Sequence, residues 1–216
     1  MNRALLLICA AGVVAPPLAA QTHWEISLGA SGAREIVRSR TRGDTTERLS
    51  GLLLAGEAVV TRGRFVGRLR YGEARLSADT GALVMPRNVA EGEALLGYQA
   101  RPWLTLAVGP HARTYYGTAL GDQRWLFWSG RVSARGTLFP DRLESFVELW
   151  QAFAGSGGPV GASATGRGAE AGLELRFSKQ PFWGRLAYRI EQGRLDDGRR
   201  ETVEALTLTI GYLPLR

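Results

Sequence analysis

The sequence predicts an all-β chain, folded as an antiparallel up-and-down barrel of about ten strands, and three observations support this prediction. Apolar and polar side chains alternate within segments of about a dozen residues, which recur about every 20 residues along the chain. Long and short connections between these segments take turns. Charged residues fall on one side of the alternation, and because successive side chains of a strand point to opposite faces, each strand would have one apolar and one charged face.

The predicted strands follow one another at regular intervals, with two kinds of connection between them. The first, third, fifth, seventh and ninth connections are long and rich in Gly, Asp, Thr or Ser, whereas the others are tight turns such as TRG and FPDR. We interpret the Gly-rich stretch from Gly155 to Gly168 as a mobile outer loop. The strands are predicted at about 23–37, 48–60, 64–77, 88–100, 103–116, 124–138, 142–153, 167–177, 182–193 and 201–213.

The first twenty residues differ from the rest of the chain. They combine a basic start at Arg3, an apolar run from Ala4 to Val14 and small residues before Gln21. This pattern predicts a cleaved secretory signal peptide over residues 1–20, followed by a single domain over residues 21–216. The alternative, a membrane anchor, is disfavoured because the apolar run is well short of the roughly 20 residues that a spanning helix needs.

The composition of the remaining chain excludes several kinds of site. The only cysteine, Cys9, lies in the predicted signal peptide, so a disulfide, a cysteine nucleophile or a thiolate metal site is not expected. Without Arg3 the formal net charge of +7 becomes +6, and arginine carries nearly all of the positive charge because Lys179 is the sole lysine. No segment after Gln21 is apolar enough for a membrane helix, so contact with a membrane would require a closed β-barrel.

The order of long and short connections resembles that of small bacterial outer-membrane β-barrel proteins, whose turns are short on the periplasmic side and whose loops are long outside. The resemblance covers the whole chain as a pattern of architecture and matches no one protein. It implies a transmembrane barrel in the bacterial outer membrane, with membrane lipid, lipopolysaccharide and the outer-membrane assembly machinery as partners. Such barrels commonly end in an aromatic residue, whereas this chain ends GYLPLR.

In such a barrel the uncharged face would meet lipid and the charged face would line the lumen, since an arginine in the middle of the lipid face costs roughly 2–4 kcal/mol. Strands with arginine tend to lie next to strands with glutamate, which predicts a paired network in which Arg68 and Arg70 meet Glu91 and Glu93. The predicted lumen network consists of Glu57, Arg68, Arg70, Glu91, Glu93, Arg113, Arg131, Arg135, Glu144, Glu148, Glu170, Glu174, Arg185 and Arg189, and the same face is expected to carry Glu25, Glu191 and Glu204.

Aromatic residues concentrate near both ends of the predicted strands, as the two interfacial belts of a membrane barrel do. The face opposite the charges is rich in small residues such as Gly92, Ala94 and Gly130, and a soluble core lined in this way would be underfilled. Both observations weigh against the alternative of a secreted, lipocalin-like barrel with its charges outside. The predicted aromatic girdle consists of Trp24, Phe65, Tyr98, Trp103, Tyr116, Trp125, Trp128, Trp150, Phe182 and Tyr212.

Few residues suggest catalysis or ligand binding. His111 lies on the predicted lumen face and is a candidate base, but spacing places no serine or aspartate beside it. The pairs Glu91 with Glu93 and Glu144 with Glu148 imitate an acid and a base, and the abundance of such carboxylates favours charge pairing instead. No spacing of His, Asp or Glu suggests a metal site, no cofactor is expected, and no basic cluster suggests nucleic acid.

The sequence therefore favours an outer-membrane barrel of structural or interaction type, with a narrow charge-paired lumen, long extracellular loops and no enzyme activity. The lumen is expected to be narrow because a barrel of about eight strands is already filled by its own side chains. Transport of a small solute through a narrow pore is the second hypothesis, and a lipid-modifying hydrolase of the outer membrane is the third. Fold alone does not choose among the three.

Overall fold

The chain forms a closed barrel in which the first strand also pairs with the last. The computed structural model describes residues 24–40, 46–78, 86–116, 123–140, 142–157, 162–177, 180–195 and 198–213. The predicted signal peptide, residues 1–20, lies outside this part of the chain. Among the described residues, no helix is long and apolar enough to cross a membrane.

Ten strands build the barrel, and each is antiparallel to both of its neighbours. The predicted all-β class, the antiparallel up-and-down order and the number of strands are therefore confirmed. The strands are β1 Trp24–Arg40, β2 Thr46–Arg62, β3 Phe65–Ala78, β4 Arg87–Arg101, β5 Leu104–Tyr116, β6 Gln123–Phe139, β7 Leu143–Gly157, β8 Ala162–Arg176, β9 Phe182–Leu195 and β10 Arg200–Tyr212.

The two ends of the barrel differ in their connections. The start of β1 and the end of β10 lie at the same end as the tight turns 63–64, 102–103 and 140–142, and we call this the terminus end. The first of these turns depends on Gly63, whose φ of 58° lies in the left-handed region that glycine adopts without strain. The opposite end, where the connections predicted to be long are found, is the loop end.

The strands extend further towards the loop end than the sequence predicts, most of all in β7 and β8. These two strands leave residues 158–161 between them, so most of the stretch 155–168 is paired strand and its interpretation as a mobile outer loop is wrong. Two of its glycines serve packing, because a Cβ on Gly155 or Gly166 would come within 2.6 or 2.8 Å of the Phe127 ring. At these two positions glycine allows close contact with an aromatic side chain.

Nearer the terminus end the outward face of the barrel is apolar and the inward face carries charges, whereas nearer the loop end the outward face also carries charges such as Glu73 and Arg75. Leu54, at mid-height of β2, is 62% exposed, and Ile210 on β10 is exposed to the same extent. Arg113 and Glu35, by contrast, are completely buried inside the barrel. The predicted orientation of the two faces is confirmed, and the alternative of a lipocalin-like barrel with its charges outside is wrong.

An irregularity between β6 and β7 changes which side chains of β7 point inward. The register shifts at Trp128 and Ser129, which leaves Phe153 as an extra residue on β7. Trp150 faces inward before this bulge and Gly155 faces inward after it, whereas Phe153 lies exposed on the outer face. Such a bulge re-aims side chains without ending the strand, and here it brings glycine rather than phenylalanine next to the interior aromatic rings.

Candidate functional site: the barrel lumen

The lumen has three levels that differ in the side chains filling them. The loop end is closed by an apolar plug, the middle holds a charge network, and the terminus end contains a cavity of about 400 Å³ lined by residues that include Arg135, Glu144 and Arg176. The apolar plug contains Val37, Leu49, Leu53, Leu76, Val89 and Val203 on one side, and Trp125, Phe127, Trp150 and Ala164 on the other.

The part of the charge network next to the plug is centred on Arg113 of β5. Its guanidinium forms an ion pair with Glu35 of β1 and another with Glu91 of β4, where Nη1 lies 3.0 Å from Oε2. Its Nε donates to the hydroxyl of Tyr115 at 3.0 Å and lies 3.5 Å from Oε1 of Glu201 on β10. One arginine therefore links four strands through buried contacts.

Arg189 of β9 reaches the same region from another wall of the barrel. Its Nη1 and Nη2 donate to Oε1 and Oε2 of Glu91 at 2.6 and 3.1 Å, which is the two-pronged geometry that favours arginine over lysine. Nη1 also lies 3.6 Å from Oε1 of Glu191 on the same strand. Glu91 is thus held by arginines from both β5 and β9.

Two arginines and two glutamates form a second group at mid-height. Arg68 of β3 donates to both carboxylate oxygens of Glu148 on β7, at 3.1 and 2.8 Å, and lies 2.9 Å from Glu93 on β4. Arg131 of β6 donates to Glu148 at 2.8 Å and also to Glu93. Each of the four side chains has two partners of opposite charge.

A third, more open group surrounds Glu174 near the terminus end. Nη2 of Arg185 lies 2.9 Å from Oε2 of Glu174, and Nη2 of Arg176 lies 3.1 Å from Oε1. Arg185 also lies 3.6 Å from Glu57 on β2, and Arg135 lies 3.7 Å from Glu174. The side chains of Arg176 and Arg135 are about half exposed because they line the cavity.

All residues of the predicted lumen network face the lumen, but their partners are not always those expected. The expected contact of Arg68 with Glu93 is present. Glu91 instead pairs with arginines of β5 and β9, and Nη2 of Arg70 has no hydrogen-bond partner among the described residues, although Arg70 lies directly opposite Glu93 in the register. The reason is the narrow lumen, across which long side chains reach distant strands as easily as adjacent ones.

The predicted lumen network omits two carboxylates that the structure buries inside the barrel, and the sequence prediction places a third carboxylate on the wrong face. Glu35 and Glu201 lie inside, and the parity that Glu35 shares with Glu25 is a signal that could have identified it. The placement of Glu204 in the lumen is wrong. It shares the parity of the exposed leucines of β10 and pairs on the outer side with Arg38, at 2.6 Å.

Two tryptophans assigned to the aromatic girdle are not part of it. Trp125 and Trp150 are 4% and 5% exposed inside the lumen, so their assignment is wrong. They share the inward parity of Arg131 and Glu148, and burying their rings completes the apolar plug. Position near a strand end was therefore a poorer guide than parity. The other girdle residues lie on the outward face: Trp24, Phe65, Tyr98, Trp103, Tyr116, Trp128, Phe182 and Tyr212.

His111 lies between the apolar plug and the charge network. The rings of Trp125 and Trp150 approach its imidazole edge-on, with centroids at 5.5 and 5.7 Å. His111 is 1% exposed, and neither ring nitrogen has a hydrogen-bond partner in the part of the chain that the structure describes. One ligand atom each from His111, Glu91 and Glu191 lie within 4.8 Å of one another. Spacing could not reveal this grouping, since the residues come from β5, β4 and β9.

The glutamate pairs considered as acid and base are engaged by arginines. Glu93 and Glu148 both contact Arg68, at 2.9 and 2.8 Å. Glu144 lies 3.6 Å from Arg135 at the edge of the cavity. A carboxylate held by arginine is stabilised in its charged form and is poorly suited to exchange a proton with a substrate. The geometry favours a role for these glutamates as charge partners.

Comparison with known proteins identifies the fold. No protein-family model matches the chain, and no curated protein matches it. Among solved structures, an outer membrane channel from Pseudomonas putida F1 is similar over 88% of this chain and 96% of its own, with a TM-score of 0.50 and 8% identity. This is the outer-membrane β-barrel fold.

Two further structures of such barrels resemble the chain more loosely. The translocator domain of the autotransporter NalP from Neisseria meningitidis aligns over 87% of this chain and 88% of its own, with a TM-score of 0.48 and 13% identity. Ail, the attachment invasion locus protein of Yersinia pestis, aligns over 88% and 98%, with a TM-score of 0.40 and 14% identity. The outer-membrane barrel described here has an apolar outer wall suited to lipid, which places it in the bacterial outer membrane.

Proposed function

We propose that this outer-membrane barrel does not conduct and that its function is structural or depends on interactions of its outer wall and loop end. The filled lumen is the observation that carries the proposal. Leu49, Leu53 and Leu76 are at most 2% exposed within the apolar plug, and Phe127 is 1% exposed on its other side. Side chains packed to this degree leave no room for a hydrated solute at the loop end.

The charge network below the plug supports the same conclusion. Its ion pairs join strands on different walls, such as Arg68 of β3 with Glu148 of β7 and Arg189 of β9 with Glu91 of β4. Separating one buried partner from another typically costs about 3–5 kcal/mol, because an unpaired charge stays behind. A solute crossing the barrel would have to separate several such pairs in succession.

Planar-bilayer recording of the purified barrel tests this proposal. We expect no steady single-channel current at neutral pH, in samples whose folding is verified by heat-modifiable gel mobility and whose insertion is verified by protease protection. A steady current from the unaltered protein would overturn the proposal. Such a current would favour the second hypothesis, a narrow pore.

The narrow-pore hypothesis has one supporting observation. The cavity at the terminus end reaches as far as Arg68 and Glu148, and a smaller void of about 20 Å³ continues beyond it beside Arg70 and Glu170. Water could therefore enter part of the lumen from this side. The small volume of the second void and the apolar plug above it favour the non-conducting function.

We propose membrane lipid and lipopolysaccharide as the partners of the outer wall, and the outer-membrane assembly machinery as the partner that inserts it. The exposed apolar side chains of every strand support lipid contact, with Trp24 and Trp128 among the aromatic residues near the two ends. Nucleic acid is not proposed, because buried arginines such as Arg113 and Arg131 are engaged with glutamates. We expect mass spectrometry to detect lipopolysaccharide that stays bound to the barrel after purification in a mild detergent. Complete loss of lipopolysaccharide would contradict its role as a partner of the outer wall.

We propose no hydrolase activity. The candidate base His111 is enclosed by Trp125 and Trp150, and the nearby hydroxyl of Ser129 donates to the Gly109 carbonyl at 3.3 Å. A substrate acyl chain has no opening to this histidine among the described residues that surround it. Lipid A from cells with and without the gene is expected to show the same acyl pattern, and a changed pattern would contradict the absence of deacylation.

A further inference from the structure

Three side chains from separate strands converge between the apolar plug and the charge network. Glu91 comes from β4, His111 from β5 and Glu191 from β9, and they are 4%, 1% and 1% exposed. One nitrogen and two carboxylate oxygens from these residues lie within 4.8 Å of one another. Because β6, β7 and β8 separate β5 from β9 in the barrel wall, this convergence spans the lumen.

The polar atoms of this cluster are incompletely satisfied. Neither Nδ1 nor Nε2 of His111 has a hydrogen-bond partner, and Oε2 of Glu191 also has none, among the residues whose side chains are described. Burying a polar group without a partner costs roughly 1–3 kcal/mol, so native proteins rarely leave one in this state. The two imidazole nitrogens and the carboxylate oxygen beside them are potential metal ligands, and a bound metal ion would satisfy them.

The charges around the cluster are unbalanced as well. Two guanidiniums, those of Arg113 and Arg189, form ion pairs with a group of four buried carboxylates. Even with Arg70, whose charge also acts on Glu91, three guanidiniums face four carboxylates when His111 is neutral, the form in which an imidazole binds a metal. Uncompensated negative charge is costly in a buried site, and a divalent cation would compensate it. The four carboxylates are those of Glu35, Glu91, Glu191 and Glu201.

We propose that Glu91, His111 and Glu191 bind a divalent transition-metal ion of the Zn²⁺ class inside the lumen. One imidazole nitrogen with carboxylate oxygens is a ligand set that suits zinc and its neighbours, whereas Ca²⁺ and Mg²⁺ take oxygen ligands. Ligands about 2.0–2.2 Å from a tetrahedral ion lie about 3.3–3.6 Å apart. The present atoms lie within 4.8 Å of one another, so binding of the ion requires them to move closer together.

The surroundings hold these ligands in place. Glu91 accepts hydrogen bonds from Arg113 and Arg189, which fix its orientation as outer contacts of metal ligands commonly do. The edge-on rings of Trp125 and Trp150 confine the imidazole of His111. The ion links β4, β5 and β9. Because the apolar plug and the charge network enclose the site on both sides, the ion binds while the barrel folds.

Metal content of the full chain, made without a histidine tag, tests this site. The barrel is folded in detergent with Zn²⁺ present and dialysed against a weak chelator, and elemental analysis is expected to find about one zinc per folded chain. His111→Ala and Glu191→Gln are each expected to lower the zinc content about tenfold or more. His23→Ala, which removes the other histidine, and Glu174→Gln, which removes a buried lumenal carboxylate outside the site, are expected to keep it.

X-ray absorption at the zinc edge of the unaltered protein gives a second measurement that does not depend on whether the variants fold. We expect one imidazole and a remainder of oxygen ligands. A folded, unaltered barrel without zinc above background would overturn the site. A zinc coordination shell made of oxygen atoms alone would also overturn it, as would a loss of zinc from His23→Ala as large as that from His111→Ala. Neither measurement involves conductance, so failure here leaves the proposed non-conducting function in place.

Discussion

Arg68 of β3 and Glu148 of β7 form a two-pronged ion pair across the lumen, with Nη1 to Oε2 at 3.1 Å and Nη2 to Oε1 at 2.8 Å. Three strands lie between β3 and β7 in the barrel wall. Arg131 binds the same carboxylate, and Glu93 contacts both arginines, so the four side chains close a ring of alternating charge. Removing one member takes one ion-pair contact from each of its two partners, which both carry the opposite charge to the removed side chain.

Arg68→Leu is expected to lower the free energy of unfolding by about 3–5 kcal/mol, because it leaves Glu148 and Glu93 with an incomplete set of partners in a buried site. Equilibrium unfolding in lipid vesicles, followed by tryptophan fluorescence, measures the loss. Arg38→Leu is the matched control, since Arg38 pairs with Glu204 on the outer side with 46% of its side chain exposed. Its removal is expected to cost less than about 1 kcal/mol, and equal losses in the two variants would contradict the ring.

Arg70→Leu is expected to destabilise the barrel less than Arg68→Leu does. Nη2 of Arg70 has no hydrogen-bond partner within the described chain, so the substitution breaks fewer contacts and also removes an incompletely satisfied buried group. The two variants change the same side chain on the same strand, two residues apart, which makes them a direct comparison. A loss for Arg70→Leu as large as that for Arg68→Leu would show that Arg70 has a partner of equal weight.

The faces of the strands were predictable from sequence because parity is a local property. Arg113, Arg131 and Glu148 are buried on the charged parity, whereas Leu54 and Ile210 are exposed on the apolar one. Lipid imposes this separation in the membrane-spanning part of each strand, since a charge facing hydrocarbon is most costly at the middle of the bilayer and less so towards the interfaces. The set of side chains that share a face therefore follows from alternation, and the orientation of the charged face follows from the cost of a charge in lipid.

Partners inside the lumen were not predictable, because they depend on the barrel's diameter and on how far each side chain reaches. Glu91 meets Arg189 although these residues are far apart in sequence and on strands that do not pair. The apolar plug was not predicted, because charged residues defined the predicted lumen face and Phe127 carries no charge. The inward parity that Phe127 shares with Arg131 was the available signal.

Gly168→Ala is expected to destabilise the barrel by about 1–3 kcal/mol through overpacking. A Cβ at Gly168 would lie 2.2 Å from Nε1 of Trp150 and 2.9 Å from the carbonyl oxygen of Ile190, so both a ring and a strand would have to move. Gly130→Ala is the control on the outer face, where a Cβ meets nothing within 4 Å. Chemical unfolding of the two variants tests the packing, and equal stability would indicate that the ring of Trp150 lies elsewhere.

Leu186→Arg is expected to lower stability by about 2–4 kcal/mol, because Leu186 faces outward on β9 between Leu173 and Leu208, where lipid tails are expected. Leu138→Arg, outward on β6 beside the 140–142 turn, is expected to cost about 0–1 kcal/mol at the interface. Unfolding from lipid vesicles gives both values. Losses that do not depend on position along the barrel would contradict the depth assigned to Leu186.

Replacing both Phe127 and Trp150 by alanine is expected to turn a silent barrel into a conducting one. The two rings lie 6.0 Å apart between centroids and form one side of the apolar plug, and Gly155 and Gly166 offer no side chain to fill the space that they leave. Water admitted there would meet the charge network, which is polar, and below it the cavity of about 400 Å³ at the terminus end.

Planar-bilayer recording measures this effect as steady current steps that the unaltered protein lacks. Trp128→Ala is the matched control, since Trp128 follows Phe127 on β6 and its ring lies exposed on the outer face. The control variant is expected to stay silent, because it leaves the plug intact. A double variant that folds, as judged by heat-modifiable mobility, and still conducts nothing would show that the charge network closes the lumen without the aromatic rings.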